Sequence, residues 1–481
     1  MNDDKDIKLT PELVQKYEVK GSFYTDYPPS GLWLNSYTDQ DYVAALKELT
    51  IKKEKPPIIL YVHFPFCKVQ CLYCQCYMLI THDKNKIRYF LQHLYKEIDL
   101  LDEFFKQHSY QPLIKEIHLG GGSPSYMDKQ EFDELIDNLK KLADIEKLDE
   151  FTIEIDPRTV DEDMMHCYAD KGIDRISFGA QEFDLDVQKA VNRVQPAEMI
   201  EKLLNPEIRK KFKSVNFDLI YGMPKSTRQT FKNTIDTTLK LSPDRIALCV
   251  LGYRPDVFTY QRALKQSDMP EPYERTLMNK DAIQTLEQNG YIRIGLDHFA
   301  KPTDDNGIAM KEKRLHRSPL GYTPGRCKDM IGIGPSGMSR INNYYFQNIY
   351  SLEKYYEALE QGKFPILRGY KLNQDQVIRR EIMYQILCYF NLNYIEFGKR
   401  FNIDFKEYFK YEIGRLKEFL KEDLVELKDD GIYVTPTGKF FLRHIVQVFD
   451  NLDRSYLHSR EESDAIPGTR GAIVPPVRIS V

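Results

Sequence analysis

Long apolar runs are missing from this chain of 481 residues. No stretch is long enough to cross a bilayer as a helix, which takes about 20 apolar residues. A surplus of charge is missing too. The chain has 68 Lys and Arg against 72 Asp and Glu, a net charge of −4. That balance argues against a general binder of nucleic acid or membrane surfaces. The opening MNDDKDIKLT is polar and acidic, unlike a secretory signal. The expectation is a soluble, cytoplasmic protein. In a reducing compartment, cysteines read as metal ligands or redox groups rather than as disulfides. Cysteine itself is scarce, with eight residues, yet four of them fall within CKVQCLYCQC, positions 67–76. The others (Cys167, Cys249, Cys327, Cys388) are scattered and read as small apolar core residues. A GxxxxGK[S/T] phosphate loop is absent.

What is there suits a globular enzyme. Hydrophobic residues make up 42% and aromatics 12%, enough for large cores. The length suggests two or three domains, although a barrel can absorb a long stretch alone. Apolar runs at 58–62, 116–120, 151–155, 175–179, 214–222, 245–251 and 291–299 read as buried strands. Between them lie helical faces: Ile87, Phe90, Leu91, Leu94, Ile98 and Leu101; Phe132, Leu135, Ile136 and Leu139; and Phe231, Ile235 and Leu239. Alternating strands and helices predict an α/β fold with a parallel sheet, a partial or full TIM-like barrel. Helices followed by a hairpin around Asp430–Gly431 resemble a winged helix. Without a basic stripe, DNA is discounted.

Cys67, Cys71 and Cys74 form C-x3-C-x2-C on a loop after the first strand. A zinc site would want a second pair or histidines at finger spacing. A redox pair of Cys71 and Cys74 leaves Cys67 unused. An iron–sulfur cluster fits such a tight loop. Three ligands would leave one iron open, while Cys76 as a fourth would close the cluster for plain electron transfer. Spacing alone leaves both open. Other polar groups sit at the ends of later strands: GGGSPS (120–125), Glu154 and Asp156 on one face, Gln181, Arg193 and Asp218. Charges in apolar strands are costly unless paired or bound, so this grouping points to a site.

These residues carry a resemblance. C-x3-C-x2-C after YVHFPF, followed by GGGSP, resembles the radical S-adenosylmethionine (SAM) superfamily. CLYCQC, IEIDPR, RISFGAQEFDLDVQKAVNR, FDLIYGMPKST, LDHFAKP, RLHRSPLGYT and IRREI are similar to the oxygen-independent coproporphyrinogen III dehydrogenases, from near LVQKY to about Phe449. The resemblance implies a 4Fe–4S cluster on Cys67, Cys71 and Cys74, with Cys76 a neighbour. It implies SAM held by Tyr61, Tyr73, Gly121, Gly122, Ser123, Glu154, Gln181, Arg193 and Asp218, and a second SAM near the substrate loops. The expected layout is an N-terminal arm (1–57) carrying Trp33, a barrel with the cluster (58–300), a connecting and substrate/SAM loop region (301–372), a helical domain (373–458) and a tail with little fixed structure (459–481). The implied reaction begins with reductive cleavage of SAM. The resulting radical takes hydrogen from a propionate, which leaves as CO₂ to give a vinyl group, twice per porphyrinogen. Two loops depart from the family pattern, Leu251–Gly252–Tyr253 and Leu320 to Gly325, as does Phe23 in the arm. Arg254 and Arg326, beside those loops, are expected substrate contacts. The implied partners are a tetrapyrrole and a low-potential electron donor, with a monomeric chain. Alternatives are a paralogue acting on another tetrapyrrole, including methyl transfer, and a non-catalytic haem-binding or haem-transfer relative.

Overall fold

The computed structural model describes residues 7–18 and 27–452. The tail at 459–481 and the arm residue Phe23 fall outside them. Twelve strands build one sheet: β1 (Pro57–Phe64), β2 (Leu113–Gly121), β3 (Glu150–Ile155), β4 (Arg175–Gln181), β5 (Ser214–Tyr221), β6 (Arg245–Val250), β7 (Ile292–Ile294), β8 (His298–Ala300), β9 (Asp329–Ile333), β10 (Met338–Ile341), β11 (Tyr344–Asn348) and β12 (Ile366–Lys371). Their order is β12-β11-β10-β9-β1-β2-β3-β4-β5-β6-β8-β7. From β9 through β6 every pairing is parallel, and the flanking strands are antiparallel. The sheet is open, with edges at β12 and β7: a partial barrel.

Burial on both faces explains why β1 reads as a continuous apolar run. Ile58, Leu60 and Val62 pack outward with Phe90, Leu91 and Leu94 of helix Lys84–Gln107. Ile59 and Tyr61 turn inward, into a second core shared with the C-terminal helices. The predicted helical faces at 129–139 and 228–241 are buried as well. Each of those helices opens with a capping box, on Asp128 and Thr227, which fixes where the chain turns from site loop into helix.

Two expectations change. The run 291–299 is not one strand but a hairpin, β7 and β8, antiparallel to β6. Gly295 sits at its turn with φ +59, a left-handed conformation that glycine adopts without strain. Residues 301–372 are not merely connecting, since they supply β9 to β12 and so widen the sheet on its other side.

Helices Gln374–Tyr389, Tyr394–Phe401, Lys410–Lys421 and Leu442–Gln447 form the C-terminal part. A small sheet accompanies them, with Gly431–Val434 between Asn391–Asn393 and Val425–Leu427. The hairpin expected around Asp430–Gly431 is therefore present. In the arm, Trp33 is 1% exposed and packs on Tyr345 at 5.6 Å between ring centres. No helix of the described residues is long and apolar enough to cross a membrane.

Candidate active site

The carboxyl ends of parallel strands are where unpaired backbone groups and loop side chains gather. Here they border one cleft of about 1860 Å³, the solvent at its mouth included. The cysteine loop forms one wall. It is pinned to the segment after β4 by Leu72 N donating to Val191 O at 3.0 Å and Asn192 Nδ2 to Gln70 O at 2.8 Å. Cys67, Cys71, Cys74 and Cys76 all line the cleft. Arg158 and Arg193 each donate to Cys71 Sγ at 3.4 Å. Cys67 Sγ lies 3.5 Å from Ser123 Oγ, and burial pushes its thiol up to about 12. A hydrogen bond from Cys76 lowers Cys74, whose sulfur also accepts from the Cys76 amide at 3.4 Å.

The adjoining wall is the turn after β2. Gly122 N donates to Phe64 O at 2.7 Å and Ser123 N to Phe66 O at 2.9 Å, so the turn is stitched to the cysteine loop. A Cβ on Gly122 would meet Phe66 O at 2.7 Å. Gly121 has φ +111 and donates its N–H to Glu154 Oε2 at 3.3 Å. Glu154 also accepts from His118 at 3.0 Å. Glu154 and Asp156 both face the cleft, as their spacing on β3 predicts. Burial disfavours the Asp156 carboxylate, but Arg193 and Arg158 outweigh it and hold Asp156 at about 2. Asp218 has no cation in hydrogen-bond contact, and Arg175 lowers it only from a distance. It accepts from Asn216 at 2.9 Å and Ser177 at 3.3 Å, while burial and then Glu154 raise it to about 7. Gln181 ends β4 at φ +61, and its buried Oε1 has no partner among the described residues.

Comparison with known proteins decides what this arrangement is. Residues 61–238 match the Radical SAM superfamily and residues 372–441 the HemN C-terminal domain. The oxygen-independent coproporphyrinogen III oxidase of Synechocystis sp. is 34% identical over 460 residues, 95% of this chain and 97% of that one. The Escherichia coli enzyme of the same name is 33% identical over 454 residues, 94% and 98% of the two chains. The solved structure described as coproporphyrinogen III oxidase (HemN) from Escherichia coli, a radical SAM enzyme, superposes with a TM-score of 0.84 at 32% identity, over 92% of this chain and 99% of that one. This chain belongs to the oxygen-independent coproporphyrinogen III oxidase family. The family implies a 4Fe–4S cluster and SAM.

The residues of this family member fit those groups. Three cysteines within eight positions share the cleft with Arg193, which together with Arg158 donates to Cys71 Sγ. The glycine turn leaves room that a side chain would fill, and Gln181 offers an unused acceptor. Each thiol is held here by a protein partner, and no three Cys, His, Asp or Glu side chains of the described residues converge on a single metal-sized point. Of the residues matched to SAM, Tyr73, Gly121, Gly122, Ser123, Glu154, Gln181, Arg193 and Asp218 line the cleft. Tyr61 does not. It is buried behind the wall, its hydroxyl 3.0 Å from His63 Nδ1. Neither arginine expected at the substrate lines the cleft. Arg254 sits on the loop whose Leu251 and Gly252 do. Arg326 pairs with Asp305 at 2.7 Å, just before β9 and therefore at the amino ends of the parallel strands, away from the site. Arg317, Asp297 and His298 do line it. They lie in RLHRSPLGYT and LDHFAKP, the segments that carry the resemblance, but nothing in their spacing marks a role.

Proposed function

We propose that this protein oxidises coproporphyrinogen III to protoporphyrinogen IX by decarboxylating two propionates. The observation that carries the reading is the convergence, on one cleft at the carboxyl edge of the sheet, of the groups that this chemistry needs. Cys67, Cys71 and Cys74 hold the cluster, and Cys76 stands beside it as a donor to Cys74. When bound, the cluster and SAM supply reductive cleavage and a radical able to take hydrogen from an unactivated C–H bond.

The chain's own residues do the rest. Arg158 and Arg193 hold Cys71 Sγ in place by hydrogen bonds. Glu154, braced by His118 and the Gly121 amide, presents a carboxylate to an ammonium donor. Asp218 presents another, deeper in the cleft. Gln181 uses its spare acceptor on the same ligand. Tyr61 packs behind Glu154 and fixes its position. Trp33, Leu219, Leu251 and Met338 give the cleft its apolar walls, which exclude water from a reactive intermediate. Arg317, on the wall over the Tyr322 ring at 4.8 Å, takes the role expected of Arg254 and Arg326 and receives a substrate carboxylate. SAM and the tetrapyrrole share this one cleft, which runs from the cysteine loop to Met338. The low-potential donor approaches where the cysteine loop meets solvent, at Lys68 and Val69. The test is anaerobic incubation of reconstituted protein with SAM, reductant and coproporphyrinogen III. Vinyl-bearing products by mass spectrometry support the reading. Conversion of a different tetrapyrrole instead would replace it.

A further inference from the structure

Beneath the residues that line the cleft lies a buried polar pair whose chemistry the SAM site does not use. Arg340 lies on β10, only 2% exposed. Side chains two apart on a strand share a face, so Arg340 points the same way as Met338, which lines the cleft. It lies about 6.6 Å further along. His316 stands in the same relation to cleft-lining Ser318 on the short strand His316–Ser318. The two deeper residues meet, with Arg340 Nη1 3.3 Å from His316 Nε2.

This guanidinium has no hydrogen-bonded counter-charge, and Glu381 acts on it only at a distance. Its Nε has no partner among the described residues. The Tyr384 ring, 5.7 Å away, offers stacking only. Burial and Arg340 push His316 down to about 3, so the ring is neutral. Glu381 is committed elsewhere, accepting from Arg380 at 3.2 Å and Arg400 at 2.6 Å. Arg380 also donates to Tyr345 Oη at 3.1 Å, and Lys328 adds positive charge near His316. Three guanidinium groups thus share one carboxylate. A buried, unmatched cation is strongly unfavourable. A carboxylate on the Nε edge would make the side-on, two-pronged contact to which arginine is suited.

We infer that Arg340 and His316 form a carboxylate-binding floor to the cleft, and that its ligand is a propionate of the tetrapyrrole. This rests on the proposed substrate class. Arg340 and His316 lie on strands other than those that carry the SAM-matched residues, so they suit a propionate that is anchored while another reacts. The methionine carboxylate of a SAM molecule has the same chemistry. It carries an ammonium beside it, however, and the one acid here is already hydrogen-bonded to Arg380 and Arg400 and shared at a distance with Arg340.

The test is Arg340→Gln in the anaerobically reconstituted full chain, with coproporphyrin III and SAM binding measured separately. The expected result is coproporphyrin binding roughly ten- to a hundredfold weaker, with SAM affinity and iron content unchanged. The tetramethyl ester of coproporphyrin, which has no carboxylates, should bind wild type weakly and lose nothing more in the variant. Arg340→Lys, which keeps the charge but not the fork, should fall between. The inference is overturned if SAM affinity falls instead, if neither ligand is affected, or if the ester loses as much as the acid. Should Arg340→Gln misfold, Arg340→Lys and the ester decide; equal binding of acid and ester by wild type overturns it. A wild-type protein that neither binds nor converts a tetrapyrrole sinks the substrate reading itself, before any variant is compared.

Discussion

Adding one methyl group at Gly122 should detach the cluster without unfolding the protein. The Cβ of Gly122→Ala would lie 2.7 Å from Phe66 O and 3.0 Å from Phe64 O. Both neighbours are backbone, so no rotamer change relieves the clash. Separation to ordinary contact, near 3.4 Å, requires a shift of about 0.5 Å or more. Overpacking of this kind costs about 1–3 kcal/mol, which a chain of this size tolerates. Cluster ligands are less forgiving, because metal–ligand distances hold within about 0.2 Å. The displaced backbone leads directly into Cys67. The variant should stay folded by circular dichroism, with a modestly lower denaturation midpoint, but bind little iron after anaerobic reconstitution and cleave no SAM. Gly414→Ala is the control. Nothing lies within 4 Å of its added Cβ, and a helix interior gains about 0.5–1 kcal/mol on replacing glycine with alanine. Gly414→Ala should therefore gain stability and keep full iron content. A Gly122→Ala protein with wild-type iron and SAM cleavage would refute the stitched-turn account.

Three further outcomes are expected. Alanine at Cys67, Cys71 or Cys74 should abolish the absorbance of the reconstituted cluster, whereas Cys76→Ala should retain it; equal dependence on all four would make the centre a closed electron-transfer cluster. Asp218→Ala and Glu154→Ala should weaken SAM binding with iron intact. Because Asp218 ionises near 7 and SAM is cationic, wild-type SAM affinity should rise from pH 6 to 8 while that of Asp218→Asn stays flat. Buried Glu182, raised by burial from 4.5 to about 8, keeps a proton that the unfolded chain releases, so stability should fall as pH rises across that window, by at most about 1.4 kcal/mol per pH unit. Glu182→Gln, neutral throughout, should lose this slope and exceed wild type in urea denaturation at pH 8.5. Parallel slopes would show that Glu182 is not the titrating group.

Inner strands were legible either as an unbroken apolar run, as in β1 from Ile58 to Val62, or as apolar alternation, as in β5 with Val215, Phe217 and Leu219. The strands β10 and β11 were not. Their buried faces include Ser339, Arg340, Gln347 and Asn348, polar residues whose burial is offset by tertiary partners such as Ser336 for Gln347 and Glu97 for Asn348. The 291–299 run hid a reversal that a single glycine permits. In the site, cysteines, glycines and strand-end carboxylates announced themselves by type and spacing. Arg158 gave no such signal, since its contact with Cys71 bridges 87 positions. Arg326 misled for the converse reason: nearness in sequence to a substrate loop does not say at which end of a parallel strand a residue lies.

The central claim is that this cleft delivers a SAM-derived radical to a propionate of coproporphyrinogen III. The most direct measurement uses substrate deuterated at the propionate carbon next to the ring, incubated anaerobically with reconstituted protein, SAM and reductant. Mass spectrometry then follows both products. The account predicts deuterium in 5′-deoxyadenosine together with vinyl-bearing porphyrinogen, both lost in Cys71→Ala. Vinyl products without label transfer, or 5′-deoxyadenosine that carries no deuterium and forms equally well without the tetrapyrrole, would contradict it.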